Sequence, residues 1–149
     1  MKINAFADVS LRALMVLAAV PGGELLTTQN IADAVGTPYN HVSKAMAKLR
    51  IMGLIEVVRG RAGGSRLSHA GRTATVGQIL RELDTRSDPA ECVAPSGNCP
   101  LINECHLRGA LARAREAFYR ELDSVVIADL PGSRQMAPVF TMIGLRPGL

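Results

Sequence analysis

The three cysteines of the chain, Cys92, Cys99 and Cys105, fall within fourteen consecutive residues, six residues separating the first pair and five the second. Pro95, Gly97 and Pro100 interrupt that stretch, so it can neither continue a helix nor fill a central strand. Its thiols are free to converge on one point, which is what a soft metal requires. The spacing lacks the Cys-x-x-Cys of zinc ribbons and thioredoxin-like enzymes. Cys99-Pro100 is a dipeptide that closes some ferredoxin cluster motifs, where proline holds the cysteine extended and removes the next amide donor. Cys105 precedes a helix predicted to begin near His106, where free backbone N–H groups and the helix dipole favour a thiolate. Three thiolates want a fourth ligand, and His106, Glu104, Glu91 or an acid from elsewhere in the chain can supply it. The competing readings are ordinary surface cysteines with one disulfide, a colourless zinc site, and a thiol oxidoreductase. The stretch by itself chooses neither the metal nor the fourth ligand.

Something must position these thiols. With 149 residues and 48% hydrophobic content, the chain suffices for one domain or for one domain with an appended dimerisation element. Aromatic residues are 3% and tryptophan is absent, so the core is built from Ala, Leu, Val, Ile and Met, which suits close-packed helices and argues against an all-β fold. No apolar run reaches membrane-spanning length and the start is not signal-like, so a cytoplasmic protein without membrane association is expected. A reducing compartment disfavours a disulfide and raises the metal reading of the cysteines. Residues 37–72 hold seven bases against one acid, Glu56, a net charge of +6 in a chain whose total is +4. That region, and not the whole surface, should meet a polyanion.

Asn4 can cap a helix reaching about Val20, with Ala7, Leu11, Leu14, Met15 and Ala18 inward. Asp8 in its first turn has a plain role, a dipole contact and an i,i+4 pair with Arg12. Thr27 or Thr28 caps a short helix ended by Gly36. Thr37 as cap and Pro38 as first helical residue begin a second one that runs to about Met52, so the pair suggests helix-turn-helix. Val42, Ala45, Met46 and Leu49 would face inward, leaving Asn40, Ser43, Lys44 and Ala47 on the opposite stripe. Thr37, Tyr39, Asn40, His41, Ser43 and Lys44 near the N-terminal end are the candidates to reach base edges, and Lys48 and Arg50 to reach phosphates. Leu54–Val58 and Ser65–Ser68 read as strands around a basic glycine-rich turn, a wing that offers Arg59, Arg61 and Arg66 to DNA. Thr75 caps a helix with Val76, Ile79, Leu80 and Leu83 inward. Beyond the cysteines, Leu107, Leu111, Ala114, Phe118, Leu122 and Val125 mark a long amphipathic helix whose stripe wants a second subunit. Pairing two such helices would set two DNA-reading units about one helical turn apart. The expected organisation is a winged helix-turn-helix over 1–74, a cysteine loop and dimerisation helix over 75–130, and a loosely ordered tail over 131–149: mainly α, with a small β-hairpin.

A helix-turn-helix, a wing reading Arg-Gly-Arg-Ala-Gly-Gly-Ser-Arg-Leu, and three clustered cysteines heading a long helix together resemble the small bacterial winged-helix iron–sulfur transcription regulators, from residue 1 to about 130. The opening Phe6-Ala7-Asp8-Val9-Ser10-Leu11-Arg12 resembles the start of that family's nitric-oxide-sensing repressors. In those, an aspartate on the first helix is the fourth cluster ligand, donated by the partner subunit, and Asp8 matches it. The resemblance implies a homodimeric repressor, not an enzyme. It implies a 4Fe-4S cluster on Cys92, Cys99, Cys105 and the partner's Asp8, with 2Fe-2S as the alternative. The implied partner is double-stranded DNA carrying an inverted-repeat operator, released when the cluster meets nitric oxide. The alternative is a regulator of cluster supply or redox status, whose relatives use a histidine just past the third cysteine; His106 follows Cys105 without their two-residue spacer. The first cysteine gap is also one residue longer than the family's.

Overall fold

The computed structural model describes residues 2–85 and 99–145, and statements of absence below concern those residues. Helix α1, Ala5–Ala19, starts where the Asn4 side chain accepts a hydrogen bond from the Ala7 amide at 2.7 Å; the Asn4 amide also donates to the Leu83 carbonyl at 3.4 Å. The buried positions are Ala7, Val9, Ser10, Ala13, Leu14, Val16 and Leu17, while the expected Leu11, Met15 and Ala18 are half-buried. The inward face is therefore broader than a single stripe, because other elements surround α1 and leave little of it to water. Ser10, fully buried, donates its hydroxyl to the Phe6 carbonyl at 2.8 Å, so no polar group is stranded there.

Helix α2, Thr28–Val35, opens with a capping box between Thr27 and Asn30 and ends at Gly36, whose φ of 63° is left-handed. Helix α3, Tyr39–Ile51, begins one residue later than expected, with Pro38 as its N-cap. Thr37 is not the cap: its amide bonds to Ala32 and its hydroxyl donates to the Val35 carbonyl at 3.4 Å, so it closes the inter-helix turn instead. Val42, Ala45, Met46 and Leu49 are all buried, as their spacing requires.

Strands β1, Ile55–Val58, and β2, Gly64–Leu67, form an antiparallel hairpin with Glu56 opposite Arg66. Leu26 adds a two-bond bridge to Ser65, which ties the hairpin to the segment before α2. A short helix α4, His69–Thr73, capped by Ser68, was not legible in advance. Helix α5, Val76–Leu83, has the expected cap at Thr75, answered by Gln78, and buries Val76, Ile79, Leu80 and Leu83.

Helix α6, His106–Glu121, is shorter than its apolar stripe: Leu122–Ser124 tighten into a 3-10 turn, and Val125 lies past the helix. Its C-terminal half is pinned to α5. Arg81 bonds Asp123 at 2.6 Å and Glu116 at 2.8 Å, and its guanidinium lies 5.5 Å from the Tyr119 ring centroid. The Tyr119 hydroxyl donates to the Asp84 carboxylate. Leu107 and Leu111 on the other half stand exposed, Leu107 at 67%.

The segment beyond Pro131 is a correction. Residues Ser133–Met142 form helix α7, which buries Met136 and Phe140 against α1 and α2. Pro138 suggested disorder, and it does lie in the helix interior, where it removes one amide donor; the burial of Met136 and Phe140, four residues apart, holds the helix in place despite that cost. One hydrophobic cluster takes in residues from α1 to α7.

Because Phe140 is 4% exposed, Phe140→Ala should lower stability by about 3 kcal/mol in urea unfolding, whereas an unpacked tail would give no change. A pH dependence also follows. The hydrogen bonds from Arg81 hold Asp123 and Glu116 below their ordinary values of 3.8 and 4.5. Their stabilisation is present above that range and lost as pH falls through the lowered values. Thermal unfolding of Arg81→Gln should therefore fall off less steeply below about pH 4 than that of the parent chain, and equal profiles would contradict the assignment.

Candidate nucleic-acid interface and cysteine site

Burying Val42, Ala45, Met46 and Leu49 turns the opposite side of α3 outward, and there Tyr39, Asn40, His41, Lys44 and Arg50 are exposed while Ser43 and Lys48 are half-buried. Pro38 donates no side-chain cap, so the first backbone N–H groups of α3 remain open to an anion, as phosphate contacts at helix starts require. The wing turn presents Arg59 and Arg61, both exposed. Its tightness depends on glycine: a Cβ at Gly63 would lie 2.2 Å from the Val58 carbonyl oxygen.

Not every base of this face is free. Arg66 donates Nε to Glu56 at 2.9 Å across the hairpin, and Lys48 pairs with Glu82 of α5 at 3.5 Å. Glu56 could have been found from the alternation of a predicted hairpin, since directly opposed residues share a face. Glu82 could not, because nothing local announces that α5 ends beside α3.

The cysteine site is built at the start of α6. Cys105 is its N-cap, half-buried and without a side-chain cap bond, so its sulfur stands at the positive end of a sixteen-residue helix. Cys99 is half-buried too, and its carbonyl accepts from the Ile102 amide at 3.3 Å in the turn that leads to α6. Glu104, between them, has φ of 54°, an uncommon left-handed setting for a side-chain-bearing residue. Cys105, His106, Arg108 and Arg113 line an open hollow of about 510 Å³. Soft sulfur donors, arginines nearby and a helix N-terminus suit an anionic, thiolate-rich centre. Cys92 lies outside the described residues, and no group of three or more His, Cys, Asp or Glu side chains able to hold a metal forms among those described.

Asp8 is not beside these cysteines in a common cluster. It stands in the first turn of α1, its side chain 44% exposed and paired with Arg12. The same guanidinium donates its other amine, Nη1, to the Val35 carbonyl at 3.0 Å. Sequence reasoning anticipated the Asp8 pair and missed the second bond, which reaches the last residue of α2 just before the helix-turn-helix turn. At the N-terminal side of α1, Ala5, Phe6 and Val9 face His41 and Lys44 of α3 across a largely apolar gap of about 140 Å³.

Residues 3–132 match the family model Rrf2, described as an iron-dependent transcriptional regulator. The chain is 43% identical over 148 residues, 99% of both chains, to the HTH-type transcriptional repressor NsrR of Streptomyces coelicolor. Among solved structures it is similar to CymR, the global cysteine regulator of B. subtilis, with 27% identity and a TM-score of 0.65 over 87% of this chain and 95% of that one. The fold is also shared with T. potens IscR, at 24% identity and a TM-score of 0.68 over 87% and 85% of the two chains. These are regulators of transcription and not enzymes, and the chain belongs to the Rrf2 family of iron-dependent transcriptional regulators.

Proposed function

We propose that this chain is a cytoplasmic, homodimeric DNA-binding repressor that binds an inverted-repeat operator, senses nitric oxide through an iron–sulfur cluster, and releases the operator when the cluster reacts. The observation that carries the reading is the pairing, in one chain, of an exposed basic face on α3 and the wing with Cys99 and Cys105 at the approach to and start of α6. Cys92, Cys99 and Cys105 of one protomer and Asp8 of the other would hold the cluster, of the 4Fe-4S kind. When bound, the cluster supplies iron that reacts with nitric oxide.

The remaining chemistry belongs to side chains. A carboxylate is a harder and weaker partner for iron than a thiolate, so Asp8 is the ligand most easily given up. With Asp8 given to the metal, Arg12 would keep its bond to the Val35 carbonyl. A released Asp8 would pair with Arg12 as it does here, and the guanidinium, still bonded to the Val35 carbonyl, would then tie the start of α1 to the end of α2. The apolar gap between Phe6 and His41 leaves α3 room to follow. A small reorientation of α3 in each protomer alters the separation of the two reading heads, and operator affinity falls. Asn40, His41, Ser43 and Lys44 would read bases, and Arg50, Arg59 and Arg61 would hold phosphates or enter the minor groove. Exposed Leu107 and Leu111 on α6 support the dimer. In this division of labour 1–74 reads DNA and 75–130 carries the cysteines and the subunit contact.

One observation favours a second reading. His106 lines the same hollow as Cys105, which would suit a histidine-ligated regulator of cluster supply, with a 2Fe-2S centre. An Asp8→Ala protein that kept its cluster absorption and its signal response unchanged would favour that alternative.

In an anaerobic gel shift, protein with its cluster should bind the operator tightly, and nitric oxide should weaken binding by roughly 5- to 150-fold, the span of ordinary allosteric coupling. Equal affinity before and after treatment would contradict the switch. Arg12→Gln should keep the visible absorption of the cluster yet lose most of that difference; an unchanged response would remove Arg12 from the relay.

A further inference from the structure

We infer that Glu56 and Glu82 limit the sequence-independent attraction of the reading face for DNA, each by neutralising one of its bases. The inference rests on the DNA-binding reading above and adds to it two acids that would touch neither base edges nor the cluster. The face carries its bases on α3 and on the wing, and an acid stands against one base on each element. On the wing, Glu56 is the cross-strand neighbour of Arg66, with Oε2 receiving the Nε proton at 2.9 Å. On α3, Lys48 is met by Glu82 at 3.5 Å, brought over by α5 from thirty-four residues downstream. Lys44, Arg50, Arg59 and Arg61 have no acidic partner among the described residues.

These four paired side chains are 36–58% exposed, too wet for the pairs to add much to folding. Their consequence is for binding. Sequence-independent affinity for duplex DNA comes almost entirely from counterions released as bases meet phosphates, and it scales with the number of net positive charges presented. An arginine or lysine held by a carboxylate adds none, and a phosphate that displaced the carboxylate would still face the acid's charge. A regulator competes with a large excess of random sites, so holding down this term sharpens the choice of operator without any base contact.

Glu56→Gln and Glu82→Gln remove charge and keep shape. With full-length, anaerobically purified protein and a duplex of scrambled sequence, each variant should bind about eightfold tighter near 0.1 M salt, and its log–log salt dependence should steepen by about 0.9. The double variant should gain about sixtyfold. Adding Arg66→Gln to Glu56→Gln should return both affinity and slope to the parent's values, a result that a merely structural role for Glu56 would not give. A variant whose affinity and slope match the parent's, or that binds more weakly, overturns the inference for that residue. If the parent itself binds no duplex, scrambled or operator, the DNA-binding reading fails first.

Discussion

Helix α1 is buried around most of its circumference, and its exposed edge carries the Asp8–Arg12 pair, whose guanidinium also reaches the Val35 carbonyl at the end of α2. Buried helices do not bend by degrees; they shift as rigid bodies or stay put. Asn4 ties the start of α1 to the end of α5 through the Leu83 carbonyl, so that start is fixed to the element from which the chain sets out toward the cysteines. Arg12, two turns on, holds the end of α2. Two hollows border this edge, one of about 140 Å³ between the first turns of α1 and α3 and one of about 160 Å³ beside Arg12 and Val35, where α7 meets α1 and α2.

Much of this was legible in the residues because the signals were local. Thr27, Gly36 and Thr75 announced helix ends by capping chemistry, and the 3.6-residue repeat of Val42, Ala45, Met46 and Leu49 placed the reading stripe on the outside of α3. The errors share a cause as well. The inward face of α1 was drawn too narrow because periodicity assumes one buried side, whereas several elements close around this helix. Thr37 before Pro38 reads as a cap, yet its amide and hydroxyl are used in closing the turn. Pro131, Pro138, Pro147 and scattered glycines point to a loose tail, whereas the helix there depends on burying Met136 and Phe140 against a surface made by α1 and α2, which no local signal announces.

The site divides along the same line. That Cys99 and Cys105 stand at the head of a helix followed from Pro100 and the onset of α6. A fourth ligand does not follow from spacing: Asp8, the candidate that the resemblance supplied, lies far along the chain with an ordinary ion pair that explains its presence equally well. On the reading face, a count of seven bases against one acid described a bare cationic patch, but the fold lays Glu82 against Lys48 and Glu56 against Arg66. Net charge in a sequence window thus leaves out acids such as Glu82 that the fold brings in from outside it.

The most direct test compares one preparation in two states. Anaerobically isolated protein, with iron and sulfide counted per chain, is divided, one half is stripped of iron, and both are titrated into a labelled operator with fluorescence anisotropy as the readout. A coloured, iron-loaded half that binds tightly beside a stripped half that has lost the operator is the predicted result. A pale, iron-poor preparation whose operator affinity is the same in both halves would contradict it.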